Sequence, residues 1–375
     1  MIALALALLL LMAASSTFAQ PAPVECPLPP YQLPLMAPER AFIDENGDVV
    51  VNGIETAFDL PDNLNADRVL WSDDGEALLI EASDGFRIGV FTIRDGDLVT
   101  LLDNETMLNL RDEDFRDAVT LFRPQFIPGT HTVLFHTQLL TDAEGIYFEL
   151  PSDLWSLDLD TGTLTELLPY GGAGQLSISP DGQYLVIVGF DRIWTVDVAM
   201  TNPRELFSGT TWIGVGHGVI EPPIVWDYEA EVPTFRTMLF PDFDANLAQF
   251  NAPFRVFEFT LGEPTSSTLL FSGETEFLLN TALSPDGYRV VEWRWDDPAN
   301  PKQIELWVTS YGDPESEAGT TPKLLHTFEV PQGNGPLIEW ADEVHIRFGH
   351  FIPGGRVVSM IDLCGEIVPL GEQQN

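Results

Sequence analysis

Apolar and polar residues alternate in short runs along most of the chain. EALLIEA, THTVLFHT, QYLVIVGF and YRVVEWRW are four such runs. Each is followed by a second pattern of strand, turn and strand. Its copies are GVFTIRDGDLVTLL, LWSLDLDTGTLTELL, RIWTVDVAMTNPRELF, FRVFEFTLGEPTSSTLLF, ELWVTSYGDPESEAGTTPKLLHTF and VVSMIDLCGEIVPL. A period of two predicts β-strands. Leu154, Ser156 and Asp158 then share one face, and Trp155 and Leu157 the other. No long run of helical period follows the first twenty residues. Glu105–Leu121 comes nearest, and reads as a short helix or a charged loop.

A short phrase runs into each of the four apolar strands: Trp71-Ser-Asp-Asp-Gly75, Ile127-Pro-Gly129, Ser179-Pro-Asp-Gly182 and Ser284-Pro-Asp-Gly287. Pro presets φ, Asp bonds back to its own backbone, and Gly accepts positive φ, so the phrase is a tight turn between strands. Its glycines stand 54, 53 and 105 residues apart, the last being about two periods. A period of this size, with about four strands per unit, predicts the blades of a β-propeller. Six hairpins predict an all-β, six-bladed β-propeller of four-stranded antiparallel blades. The fourth blade (residues 211–271) lacks the turn phrase, and the sixth keeps only Glu339-Trp-Ala-Asp-Glu343. The extra hairpin AFIDENGDVVVNG adds to the last blade or starts a seventh.

Repeated Ser-Pro-Asp-Gly turns, each leading to a strand such as Trp155-Ser-Leu-Asp158 or Trp194-Thr-Val-Asp197, resemble TolB-like propeller repeats. These are the WD-like repeats of bacterial exported proteins. The resemblance spans about residues 65–370. It implies a fold and no particular activity, since such propellers serve as binding platforms, accessory domains and enzymes.

The N-terminus predicts export. Ile2–Ala14 is apolar, Ser15, Ser16 and Thr17 follow, and Phe18-Ala19 completes a signal peptide, residues 1–19. No Lys or Arg precedes the run, so an uncleaved anchor stays open. Residues 20–39 are Pro-rich, and residues 40–371 form the propeller. The two cysteines, Cys26 and Cys364, lie near opposite ends of the mature chain. An oxidising compartment predicts a disulfide between them that clasps the ring.

The charge is extreme: 17 Lys and Arg against 58 Asp and Glu, a net of −41. Such a surface repels nucleic acid and anionic lipid. No nucleic-acid partner and no membrane insertion after leader removal are expected, and the protein is expected to be a monomer in the periplasm or outside the cell. No cofactor is expected; the acids would suit calcium, but no motif supports it. Asp242-Phe-Asp244-Ala-Asn246 starts like an EF-hand but has Leu247 where Gly belongs.

Catalytic motifs are absent: no Gly-x-Ser-x-Gly, no His-Glu-x-x-His and no phosphate loop. One segment, Thr211–Tyr228, breaks the repeat and brings Trp212, His217, Glu221, Trp226 and Tyr228 close in sequence. Aromatics beside polar groups suit a peptide or sugar site. The alternative is an irregular strand that packs its Trp residues between blades. Gln138–Pro151 and Trp295–Gln303 are candidate binding loops. The leading function is a non-catalytic platform for a protein, peptide or glycan. The alternative is a hydrolase or lyase, with or without a divalent cation.

Overall fold

A computed structural model describes residues 26, 41–43, 49–51, 58, 60–61, 64–111, 118–140, 153–211, 213–215, 218–220, 222–241, 252–275, 281–296, 303–311, 322–329, 337–352 and 355–369. The chain forms two compact units. One comprises residues 32–243 and 259–267; the other comprises 1–31, 244–258 and 268–375.

In the first unit β1 (Ala41–Ile43) pairs with β2 (Val49–Val51) as a small sheet of its own. The first four-stranded sheet is β3 (Asn65–Trp71), β4 (Leu78–Ser83), β5 (Ile88–Arg94) and β6 (Asp97–Leu102). Helix α1 (Asn104–Asn109) follows, then β7 (Ala118–Phe126), β8 (Thr132–Leu140), β9 (Leu154–Asp158) and β10 (Leu164–Leu168). The third sheet is β11 (Gln175–Ile178), β12 (Tyr184–Val188), β13 (Arg192–Asp197) and β14 (Arg204–Ser208). A two-stranded sheet, β15 (Ile213–Val215) and β16 (Gly218–Ile220), comes next. The fourth sheet is β17 (Ile224–Asp227), β18 (Thr234–Leu239), β19 (Ala252–Thr260) and β20 (Ser266–Thr275), of which residues 252–258 and 268–275 belong to the other unit. The other unit holds β21 (Thr281–Leu283), β22 (Arg289–Trp295), β23 (Gln303–Ser310) and β24 (Lys323–Glu329), then β25 (Leu337–Trp340), β26 (His345–Ile352), β27 (Gly355–Asp362) and β28 (Ile367–Pro369).

Every four-stranded sheet is an antiparallel meander with its strands in chain order. Consecutive meanders packed face to face are the blades of a β-propeller. Among the strands of the described residues, β1 and β2 pair only with each other and pack on the first sheet.

Period two explains that packing. Along β4, Leu78, Ile80 and Ala82 face Val49, Val51 and Phe91. Leu79 points the other way, into the seam with Val119, Leu121, Val133 and Phe135 of the second sheet. Both faces are thus buried. The second seam, between the second and third sheets, holds Leu134, Leu154, Leu176, Leu185 and Ile187.

The turns have the expected chemistry. Ser72 Oγ donates to Asp74 Oδ1 at 2.6 Å, which also accepts Glu76 N–H at 2.9 Å. Ala77 N–H donates to Ser72 Oγ, and Gly75 sits at φ +70°. Ser179–Asp181 and Ser284–Asp286 repeat the arrangement. The fourth sheet uses a different turn, in which Asp227 accepts Glu229 N–H and pairs with Arg236 at 2.9 Å.

The start of Glu105–Leu121 is helical. Asp103 caps α1 by accepting Thr106 N–H at 2.8 Å, and Met107 is fully buried. Its end lies in β7, and 112–117 fall outside the described residues. Gln138 prolongs β8, whereas 141–152 lie outside that set. Trp295 and Gln303 end and begin strands, and Asp296 accepts Gln303 N–H at 2.9 Å. Cys26 and Cys364 are disulfide-bonded, with Cα atoms 5.9 Å apart.

Candidate functional site

Of the five residues singled out in Thr211–Tyr228, Trp212, His217 and Glu221 lie outside the described residues. Trp226 is 8% exposed on β17; its ring lies tilted against Phe235, and its Nε1 donates to Ser177 Oγ of β11. It joins two sheets. Tyr228 follows in the turn and is 77% exposed. The structure therefore separates the roles of these two aromatics.

A groove lies beside the outer strands of the second and third sheets. Its volume is about 480 Å³. Leu167 and Leu168 of β10, Trp194 of β13 and Met200 give it an apolar lining, and Arg192 and Glu205 are polar members of its wall. All four apolar residues are half-buried and rest on the second seam. Strand alternation puts Trp194 opposite Glu205 across the β13–β14 pair, and Arg192 opposite Ser208.

The turn from β13 to β14 builds one wall. Asp197 accepts Thr201 N–H at 2.6 Å and the Asn202 amide at 3.1 Å. Hydrogen bonds with Thr201 hold the Asp197 carboxyl below the usual carboxylate range. This tight turn places Met200 at φ +59° and Asn202 at +55°. Left-handed backbone is unfavourable for Met, and the turn holds it there with Met200 in the groove. Arg204 divides the groove from a smaller hollow of about 260 Å³. Its guanidinium is engaged, with Glu263 at 2.7 Å and Thr265 at 3.1 Å.

Arg192 is different. Among the described side chains, most cations of this acidic chain have a partner: Arg68 has Glu81, Arg87 Asp84, Arg94 the Leu159 carbonyl, Arg289 Asp286, and Lys323 the Leu363 carbonyl. Arg192 is exposed and engages no partner among the described residues, and neither does Glu205.

A second polar cluster sits at the turns of the first two sheets. His131 Nδ1 meets Asp160 at 2.9 Å, and Nε2 meets Asp74 Oδ2 at 3.2 Å. The two carboxylates raise the pKa of His131 against some desolvation. Asp74 is lowered to about 2, chiefly by Ser72 and Glu76 N–H. Ligand atoms of Asp74, Glu76 and His131 come within 4.8 Å of one another, so the three have the donors for a metal ion. A metal ion bound at Nε2 would take the place of the His131–Asp74 hydrogen bond.

His136 is buried on β8, and burial lowers its pKa. One ring nitrogen faces the Asp153 carbonyl. Asp153 also accepts Thr137 N–H and Trp155 Nε1–H.

The turns at Asp74 and His131 are visible in sequence, but not that they meet. The groove has a single local signal, the Asp-x-x-Met-Thr-Asn stretch that forces a tight turn. Its other members converge only when two sheets pack.

No family model and no curated protein matches the chain. Among solved structures, it is similar to an oligogalacturonate lyase in complex with manganese, at 16% identity over 82% of this chain and 72% of that one, TM-score 0.44. It is similar to TolB from Acinetobacter baumannii at 14% identity, over 81% of this chain and 63% of that one, TM-score 0.36. The β-propeller domain of the Trilobed protease from Pyrococcus furiosus is 13% identical, over 82% and 83%, TM-score 0.41.

Proposed function

We propose that the protein is an exported, non-catalytic recognition platform for a protein, peptide or glycan, and that the groove beside Trp194 is where it binds. The observation that carries this reading is the union of an apolar floor with an uncommitted cation, Arg192, in a chain of net charge −41. Ligand sites combine an apolar wall with a few placed polar groups, in volumes of roughly 300–1,000 Å³. The Cys26–Cys364 disulfide and the apolar leader support export to an oxidising compartment. Six blades, with β1–β2 packed on the first sheet, are part of the proposal, as is a monomeric state.

The rival, a divalent-cation-dependent hydrolase or lyase, has its best support in Asp74, Glu76 and His131. His131 is already committed to two carboxylates there, which favours the binding reading.

The test is capture from the native envelope fraction by the wild-type protein and by Trp194→Ala, both checked for folding by thermal melting. Loss of a specific partner with Trp194→Ala supports the groove. Identical capture by both proteins overturns it.

A further inference from the structure

We infer that the groove takes a short apolar peptide with free amino and carboxyl ends, its carboxylate at Arg192 and its ammonium at Glu205; this rests on the recognition reading above. Arg192 and Glu205 line the same groove, each without a partner among the described residues. They flank Trp194, which pairs across the strands with Glu205. One free cation and one free anion on an apolar floor match a ligand of opposite polarity with an apolar middle.

Charge selects among such ligands. A simple anion meets a surface of net charge −41 and is repelled on approach. A simple cation is attracted everywhere on that surface and gains little specificity from one glutamate. A zwitterion has no net charge, so only the local pair distinguishes it. Arg also suits the role chemically, because its planar fork binds a carboxylate through two parallel hydrogen bonds. Leu167, Leu168, Trp194 and Met200 would receive the peptide's apolar side chains. The volume, about 480 Å³, is within the range of small-ligand sites. Met adds adaptability, since its unbranched thioether fits several shapes.

The probe is the dipeptide Leu-Phe, compared with its C-terminal amide and its N-acetyl form, by calorimetry at low salt. The expected result is saturable binding of Leu-Phe and at least tenfold weaker binding of each blocked form. Arg192→Gln should abolish the preference for the free carboxylate while keeping that for the free amine. Glu205→Gln should do the reverse. Both side chains are exposed, and melting curves should match the wild type. Equal binding of all three probes, or none by a protein that still captures its partner through Trp194, overturns the inference and leaves the recognition reading standing. If Trp194→Ala changes neither probe binding nor capture, the recognition reading fails as well.

Discussion

The Trp226 indole Nε1 donates to Ser177 Oγ over 2.8 Å, tying the first strand of one sheet to the first strand of the sheet before it. The same link recurs with other chemistry. Arg68 reaches the Leu121 carbonyl at 3.3 Å, Gln125 the Leu176 carbonyl at 3.4 Å, and Trp340 the Ala282 carbonyl at 3.0 Å. First strands have one sheet neighbour, so side chains bridge their free edges. Trp226→Phe keeps the ring burial and removes the donor. The expected cost is about 1 kcal/mol in urea unfolding, against about 3–5 kcal/mol for Trp226→Ala. Equal costs for the two would mean that packing alone holds the indole.

His131 gives the protein a pH-dependent link between turns. Its folded pKa is raised by Asp160 first and Asp74 second, so its contribution is complete below the unfolded value near 6.5 and is lost as pH rises through the folded value. Asp74 has the opposite sign. Its pKa falls to about 2, so its contribution is present above 3.8 and is lost as pH drops toward 2. Both contribute between roughly pH 4 and 6.5. The melting difference between wild type and His131→Gln should peak near pH 5 and shrink by pH 9. A difference that does not change with pH would remove the ionic link.

Glu81 behaves in the contrary way to the surface acids. It is buried on β4, and desolvation raises its pKa, opposed by the hydrogen bonds from Thr120 and Leu121 N–H and by Arg68 at 3.5 Å. A raised carboxyl pKa means that the folded state holds the proton longer, so stability falls as pH rises through the folded value. Glu81→Gln keeps an oxygen for Leu121 N–H and cannot ionise. Its melting temperature should gain on the wild type as pH rises above the ordinary glutamate value of 4.5. Glu81→Ala orphans that N–H and should cost about 1–3 kcal/mol at all pH values. A constant offset for Glu81→Gln would show that Glu81 does not titrate in this range.

The repeated turns are legible in the sequence because each is self-contained. Ser72, Asp74 and Gly75 satisfy one another within six residues, and Ser179 and Ser284 do the same. The fourth turn is hidden because Asp227 draws on Arg236, across the β17–β18 pair. The segment Thr211–Tyr228 was legible as a break in the repeat. Its division into a separate pair, β15–β16, and a first strand holding Trp226 was not, because Ser177 lies 49 residues away. The groove depends on contacts of the same kind. Trp194 and Arg192 look like ordinary strand residues, and only the packing of β10 beside β13 gives them a common cavity.

The Cys26–Cys364 bridge spans 338 residues of sequence. Cys364 is presented rigidly. Asp362 accepts Cys364 N–H and Glu366 N–H, both at 2.9 Å, and Gly365 turns the chain at φ +90°. Cys26 has no such frame among the described residues, and it is exposed. The bridge therefore fixes the N-terminal segment to the β27–β28 turn. Closing so long a loop removes entropy from the unfolded chain worth about 6 kcal/mol at most. Strain and residual structure in the unfolded state reduce that figure. Both thiols should resist alkylation in denaturant until a reductant is added, because denaturant exposes a free thiol but leaves a disulfide intact. Cys26→Ser should free Cys364 for labelling in denaturant and lower the melting temperature. Cys364→Ser should have the same thermal effect, and the double variant should be no worse than either, since all three break one bond. Additive losses in the double variant would show that the two sulfurs act separately. Full alkylation of the unreduced, denatured protein would show that the bridge does not form.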